Sequence, residues 1–265
     1  MALLRPGHKG LAMEEALKSY FWKSGYFVLR GLPYRLAGDD VTDIDLWLYE
    51  KSAGASRRRT IVDIKNRRSP KASERVIWTR GLQIALGVEA SIVATTDTRE
   101  GNRRLARQLG VALLDGEALT KISAFESASA GEQITNDDLD QLVKDVDESR
   151  RSAEWRTTLS NARAMVLDGL GVQSTNSSLA SSAFFAEQAV LAYPRSKPAE
   201  LAIRLTYLTA ALASISLDYF LAENAFRSAE EKQKIIIDGI RFGSSRNFDA
   251  TSMIRNAIGL ARRYA

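Results

Sequence analysis

Residues 41–68 read VTDIDLWLYEKSAGASRRRTIVDIKNRR, and this stretch decides the fold. Over 43–49 the apolar Ile44, Leu46 and Leu48 alternate with Asp43, Asp45, Trp47 and Tyr49. A period of two marks a β-strand with one face to the core. Over 60–65 the period returns, with Val62 and Ile64 on one side and Ile61, Asp63 and Lys65 on the other. The segment between them, KSAGASRRR, is small, polar and basic, and reads as a loop that carries Arg57, Arg58 and Arg59. A linker that short makes the strands antiparallel neighbours. Asp45 and Asp63 then share a face at a spacing suited to one cation, with Lys65 beside them. Carboxylates in mid-strand cost β propensity and solvation, so a function or an ion pair must compensate.

Working outward, residues 10–24 (GLAMEEALKSYFWKS) form an amphipathic helix ended by Gly25. Glu14 lies at the edge of its apolar stripe, while Glu15 is expected to point to solvent. Glu14 is then the acid that reaches the sheet edge; alternatively both are ordinary first-turn residues favoured by the helix dipole. Residues 26–34 suggest a strand and a turn, with Gly31 and Pro33 as breakers, and residues 38–40 a loop. After Pro70 come a helix over 72–86, a strand over 91–95, a helix over 98–109 closed by Gly110, and a strand over 111–114. The expected order is α-β-β-β-α-β-α-β, a mixed sheet with helices on its faces. Residues 127–137 turn small and polar, as a linker does. Beyond it only helices are expected, over 139–170, 179–192, 200–230, 235–242 and 250–264. The expected architecture is therefore α/β over 1–125, a linker over 126–137 and an all-α domain over 138–265.

The chain has no cysteine and one histidine, His8. That excludes disulfides, thiol catalysis, Cys-based zinc sites and mechanisms built on a histidine pair or triad, and it suits a reducing cytoplasm. His8 itself reads as a solvated residue. The N-terminus lacks the apolar core of a signal peptide. Residues 205–217, uncharged between Arg204 and Asp218, are too few to span a bilayer. No membrane partner is expected. The net charge of +5 is uneven, about +7 over 1–125 and about −2 over the remainder. The basic excess points to a polyanion partner, or to a solvated basic face.

Two carboxylates and a lysine on one strand face suit phosphodiester hydrolysis. That reaction needs a cation on the non-bridging oxygen, a deprotonated water and a hold on the developing charge. Hard oxygen ligands select magnesium, which one or two carboxylates, waters and substrate phosphate complete. Asp45, Asp63 and the backbone carbonyl of Ile64 are candidate ligands, and Lys65 is placed to orient the water. Arg57–Arg59, with Arg67 and Arg68 just beyond Lys65, either grip a phosphate backbone or remain solvated. Trp47 either stacks on a base or caps the sheet.

The order Gly10-x-x-x-Glu14, Asp45, Asp63-Ile64-Lys65 resembles the PD-(D/E)XK nuclease superfamily, most of all Mrr-type restriction endonucleases and archaeal Holliday junction resolvases. The tail SIVATTDTREGNRRLARQLGVALLDGEAL resembles the end of an Mrr-type domain. The likeness covers residues 7–122, and Asp43 stands where a proline is usual. The resemblance implies a restriction-endonuclease-like fold, with Glu14, Asp45 and Asp63 as metal-site acids and Lys65 as the catalytic lysine. It also implies a water- or phosphate-positioning role for Gln83. The implied activity is a magnesium-dependent deoxyribonuclease, with Mn2+ able to substitute, in prokaryotic restriction, antiviral defence or repair. One site cuts one strand, so a homodimer is expected, with residues 138–265 as a dimerisation or protein-partner module. The alternatives are a non-catalytic nucleic-acid-binding or adaptor protein on the same fold, and an RNA-directed nuclease.

Overall fold

The computed structural model describes residues 8–65, 71–127, 135–242 and 258. Arg67 and Arg68 lie outside them, as does the helix expected over 250–264 apart from Ile258. The chain divides into two compact units, 1–141 and 142–265.

The first unit is a five-stranded mixed sheet whose spatial order follows the chain. The helix α1 (His8–Lys23) precedes β1 (Phe27–Leu36), β2 (Asp39–Lys51) and β3 (Arg57–Lys65), which pair antiparallel. Then α2 (Ala72–Leu86), β4 (Ala90–Thr95), α3 (Glu100–Leu109) and β5 (Ala112–Leu114) add two parallel strands. Gly87 and Gly110 close α2 and α3 in the left-handed conformation that glycine adopts without penalty.

One sheet face carries Leu46, Leu48, Val62 and Ile64, covered by Leu17 and Phe21 of α1 and by Leu119 and Ile122 of α4 (Gly116–Ser127). That helix was not anticipated. Asp115 starts it by accepting from the amides of Glu117 and Ala118. The other face is buried as well, which corrects the expectation of a one-sided β2. Trp47 is fully buried and Tyr49 nearly so, stacked at 6.0 Å between ring centroids. Trp47 is therefore not available to a base. α2 lays Thr79 and Leu82 near Ile61, and Val76 packs with Val93 and Ala106.

Strand lengths also differ from expectation. Ala37 and Gly38, both at positive φ, make the β1–β2 turn, so Asp39 and Asp40 pair with β1 rather than lie in a loop. Gly31 and Pro33 both lie within β1; Pro33, which has no N–H, is tolerated because β1 is an edge strand. The basic loop contracts to residues 52–56, closed by reciprocal Ala53 and Ser56 backbone bonds. Arg57, Arg58 and Arg59 belong to β3, opposite Lys51, Glu50 and Tyr49.

Helix α5 (Asn136–Arg150) begins the helical run, and the boundary between units falls inside it. Its first residues belong to the sheet unit because Asp137 accepts from Arg30, and Asn136 bonds to Glu15, Lys18 and the Arg30 carbonyl. The linker expected over 126–137 is accordingly shorter at both ends, with 128–134 outside the described residues.

The second unit is helical: α6 (Glu154–Asp168), α7 (Val172–Leu191), α8 (Lys197–Glu223) and α9 (Ala229–Phe242) follow the end of α5. The single helix expected over 139–170 breaks at Arg151, which has positive φ. Buried Asp147 then caps α6 through the amides of Trp155 and Arg156. α7 and α8 pack along their length, with Ser182 donating to the Thr206 carbonyl, and Trp155 of α6 lies edge-on to Phe185 of α7 at 5.6 Å. α8 has 27 residues and a mean hydropathy of 1.4 over its most apolar window. Longer than its uncharged stretch, it is the one helix among the described residues long and apolar enough to cross a membrane. Its Leu201, Leu205, Thr209, Leu212 and Ser216 form a buried stripe at helical spacing.

Gly239 of α9 packs so closely that an added Cβ would lie 2.8 Å from both Val172 methyls. A Gly239→Ala change is therefore expected to destabilise the helical unit by about 1–3 kcal/mol, despite the better helix propensity of alanine. Urea unfolding followed by circular dichroism would show it, and an unchanged midpoint would refute the close packing.

Candidate metal and phosphate site

The pairing of β2 with β3 ends in register at Leu46 and Val62, which puts Asp45 beside Asp63. Beyond that point the Asp45 side chain takes over from the backbone, its Oδ2 accepting from the Ile64 amide at 2.6 Å. In a strand the N–H and C=O of one residue point to the same side, so the Ile64 carbonyl also faces β2. On the other flank Gly31, at positive φ, falls in register opposite Asp45 and places no side chain there.

Burial pushes the Asp45 carboxyl above its ordinary range. The Ile64 amide works against this, the negative charge of Glu14 adds to it, and Lys65 and Arg75 pull it down. These charges all act on one carboxylate. Lys65, half-buried, ends β3 in register with Thr95.

Asp63 is buried, and both its oxygens are taken by Arg75 of α2. The Arg75 Nε donates to Oδ2 at 2.8 Å and the Nη2 to Oδ1. One turn along α2, the hydroxyl of Thr79 is fully buried without a hydrogen-bond partner. It lines a crevice of about 10 Å3 with Asp43, Asp45, Ile61, Asp63 and Leu82. That is room for one water or a small ion at most, between the carboxylates of Asp43, Asp45 and Asp63 and the apolar Ile44, Ile61, Val62 and Leu82.

Glu14 does not complete a three-acid set. Its Oε2 accepts from Arg30 Nε at 2.8 Å, and among the described residues no group of three acids or histidines is arranged to hold a metal. The reason is Arg30, which is buried in β1 and bonded to Glu14, Glu15 and Asp137. Burial works against the Arg30 charge, but the bonds it donates to Glu14 and Asp137 outweigh that and hold its pKa above the ordinary arginine value. Glu15, expected in solvent, sits half-buried in this network.

Gln83 is likewise elsewhere. Its amide accepts from Ser91 and Arg80 and donates to the Glu89 carbonyl, fastening the end of α2 to the start of β4. The helix register gives the crevice to Thr79 and Leu82 and the contact with Asp63 to Arg75. Arg59 is committed to Glu89 and the Gly87 carbonyl, and Arg57 bonds the carbonyls of the β2–β3 turn. Arg58 is the more exposed, 4.0 Å from Glu50. All three lie four to six residues from Asp63, roughly 14–20 Å along the strand.

Arg75, Thr79 and Arg30 were missed at the sequence level. A buried aspartate needs a counter-charge, and Arg75 sits one turn before Thr79 on α2, but the helix register had to be known first. Comparison of the chain with protein-family models, curated proteins and solved structures returned no match.

Proposed function

We propose that this protein is a magnesium-dependent deoxyribonuclease of the PD-(D/E)XK superfamily, with a restriction-endonuclease-like N-terminal domain. The observation that carries the reading is the adjacency of Asp45 and Asp63 on one face of β2 and β3, around a crevice sized for a small ion, with Lys65 two residues on. The order α-β-β-β-α-β and the mixed pairing are consistent with it.

Asp45, Asp63 and the Ile64 carbonyl would hold the cation, and Mn2+ would serve in place of Mg2+. When bound, the cation supplies charge neutralisation at the scissile phosphate and a more acidic water. Lys65 would orient the attacking water by its ammonium group and balance charge on the phosphate oxygens. Glu14 acts at a distance, its charge keeping Asp45 more basic. The overall basic charge of residues 1–125 draws the polyanion. A homodimer would supply a second site for the second strand, with residues 138–265 as its assembly or partner module. Restriction, antiviral defence or repair in a prokaryote is the setting that the family resemblance implies, and a chain with no cysteine suits a reducing cytoplasm.

One observation favours a second reading. Arg75 already neutralises Asp63 with both nitrogens of its fork, as expected of a nucleic-acid-binding or adaptor protein that keeps the fold without the chemistry. Purified protein with supercoiled plasmid and Mg2+ or Mn2+ separates the two. Nicking is expected, falling at least ~100-fold in Asp63→Ala and Lys65→Ala. If wild type and variants nick alike under every metal, the enzyme reading is lost, and retained DNA binding would establish the second. Single-stranded DNA, four-way junctions and RNA, assayed in parallel, identify the substrate class.

A further inference from the structure

Asp63 is placed to hold a cation, yet a cation already holds it. The Arg75 guanidinium donates to both carboxylate oxygens, and the two side chains differ in access, 10% exposed for Asp63 and 26% for Arg75. A guanidinium fork fits a phosphate as well as it fits a carboxylate. A divalent cation on Asp63 would stand against the Arg75 charge, so the two compete for one carboxylate. Beside the pair, Thr79, whose buried hydroxyl lacks a partner, lines the crevice that Asp45 and Asp63 share. The site therefore has a cationic occupant on one carboxylate, and Thr79, whose buried hydroxyl lacks a partner, is among the residues that line its crevice.

We propose, resting on the nuclease reading above, that Arg75 is a displaceable counter-ion. It clasps Asp63 while no substrate is bound and passes to a backbone phosphate when duplex DNA arrives, releasing Asp63 to the divalent cation. One ion pair, Arg75 with Asp63, is exchanged for two, Arg75 with phosphate and Asp63 with the metal. No bond other than these contacts changes. The partly exposed Arg75 is the partner that can move, whereas Asp63 is fixed in mid-sheet. Metal binding and DNA binding are then coupled, and by linkage each strengthens the other by the same factor. Metal is loaded with the substrate rather than before it.

The test is a titration of the full-length protein with Mn2+, followed by the electron paramagnetic resonance of the free ion, with and without a short DNA duplex. A Lys65→Ala background keeps the duplex intact during the measurement. With Arg75 present, the duplex is expected to tighten Mn2+ binding at least ~10-fold. In Arg75→Gln, Mn2+ is expected to bind at least ~10-fold tighter without DNA, and the duplex then adds less than ~3-fold. Adding Asp63→Asn should erase that gain. Arg75→Lys keeps the charge but loses the fork, and should fall between. Mn2+ affinity that is independent of DNA, or not raised by Arg75→Gln, overturns the proposal. If Arg75→Gln does not fold, the DNA dependence of Mn2+ binding with Arg75 in place decides alone. Metal-dependent nicking with equal Mn2+ affinities defeats this proposal and leaves the nuclease reading standing. An absence of both Mn2+ binding and nicking removes the two together.

Discussion

An Asp45→Asn protein is expected to nick plasmid at least ~100-fold more slowly than wild type and yet to melt at a higher temperature at pH 7. The activity falls because asparagine brings no charge to the cation. The stability rises because burial and the Glu14 charge hold the folded-state pKa of Asp45 above its ordinary 3.8, with the Ile64 amide, Lys65 and Arg75 only partly offsetting them. A carboxyl whose pKa is raised by folding destabilises the native state once it ionises. That penalty is absent below pH 3.8, grows as pH climbs toward the folded-state pKa and is complete above it. Asparagine avoids it and still offers an oxygen to the Ile64 amide. The melting gap between variant and wild type should therefore widen from about pH 4 upward and then level off. A wild type more stable than the variant at pH 7 would show that Asp45 is a stabilising member of an ion-pair cluster and not a strained functional acid.

Trp47→Ala is expected to cost about 3–5 kcal/mol of stability, the range for emptying a large aromatic from a closed core. Trp47 is fully buried, stacks on Tyr49 and lies opposite Ile61 between covered sheet faces. Its Nε1 is buried without an acceptor, so Trp47→Phe loses volume but also removes an unsatisfied donor. That variant should cost less than ~2 kcal/mol. Both values are read from urea midpoints. DNA affinity of the folded Trp47→Phe protein should match wild type, because no face of the ring reaches solvent; a drop would return the residue to a base-stacking role.

The alternation in 43–49 and 60–65 was enough to place β2 and β3 and to set Asp45 and Asp63 side by side, since a period of two leaves little freedom in which residues share a face. It was not enough to show that both faces are covered. Covering depends on where α2 and α3 return, and Trp47, Tyr49 and Ile61 look the same in a half-buried and a fully buried strand. Arginines 57–59 show the converse failure. A run of three cations reads as a solvated loop, but Glu50 across the hairpin lies near Arg58, Glu89, distant in sequence, pairs with Arg59, and Arg57 bonds the turn carbonyls, so the hairpin extends through all three. Glu14 and Gln83 were legible as polar residues on helices, not as to which partner each would meet.

The sequence by itself determined the α/β class of the first unit, the helical class of the second and the shared face of Asp45, Asp63 and Lys65. All three follow from local periodicity. Only the tertiary structure decided the partners: Arg75 on Asp63, Arg30 on Glu14, and the Thr79 hydroxyl at the crevice. Buried charges take the nearest available counter-charge, and which one is nearest is a property of how helix and sheet dock, which no window of residues encodes.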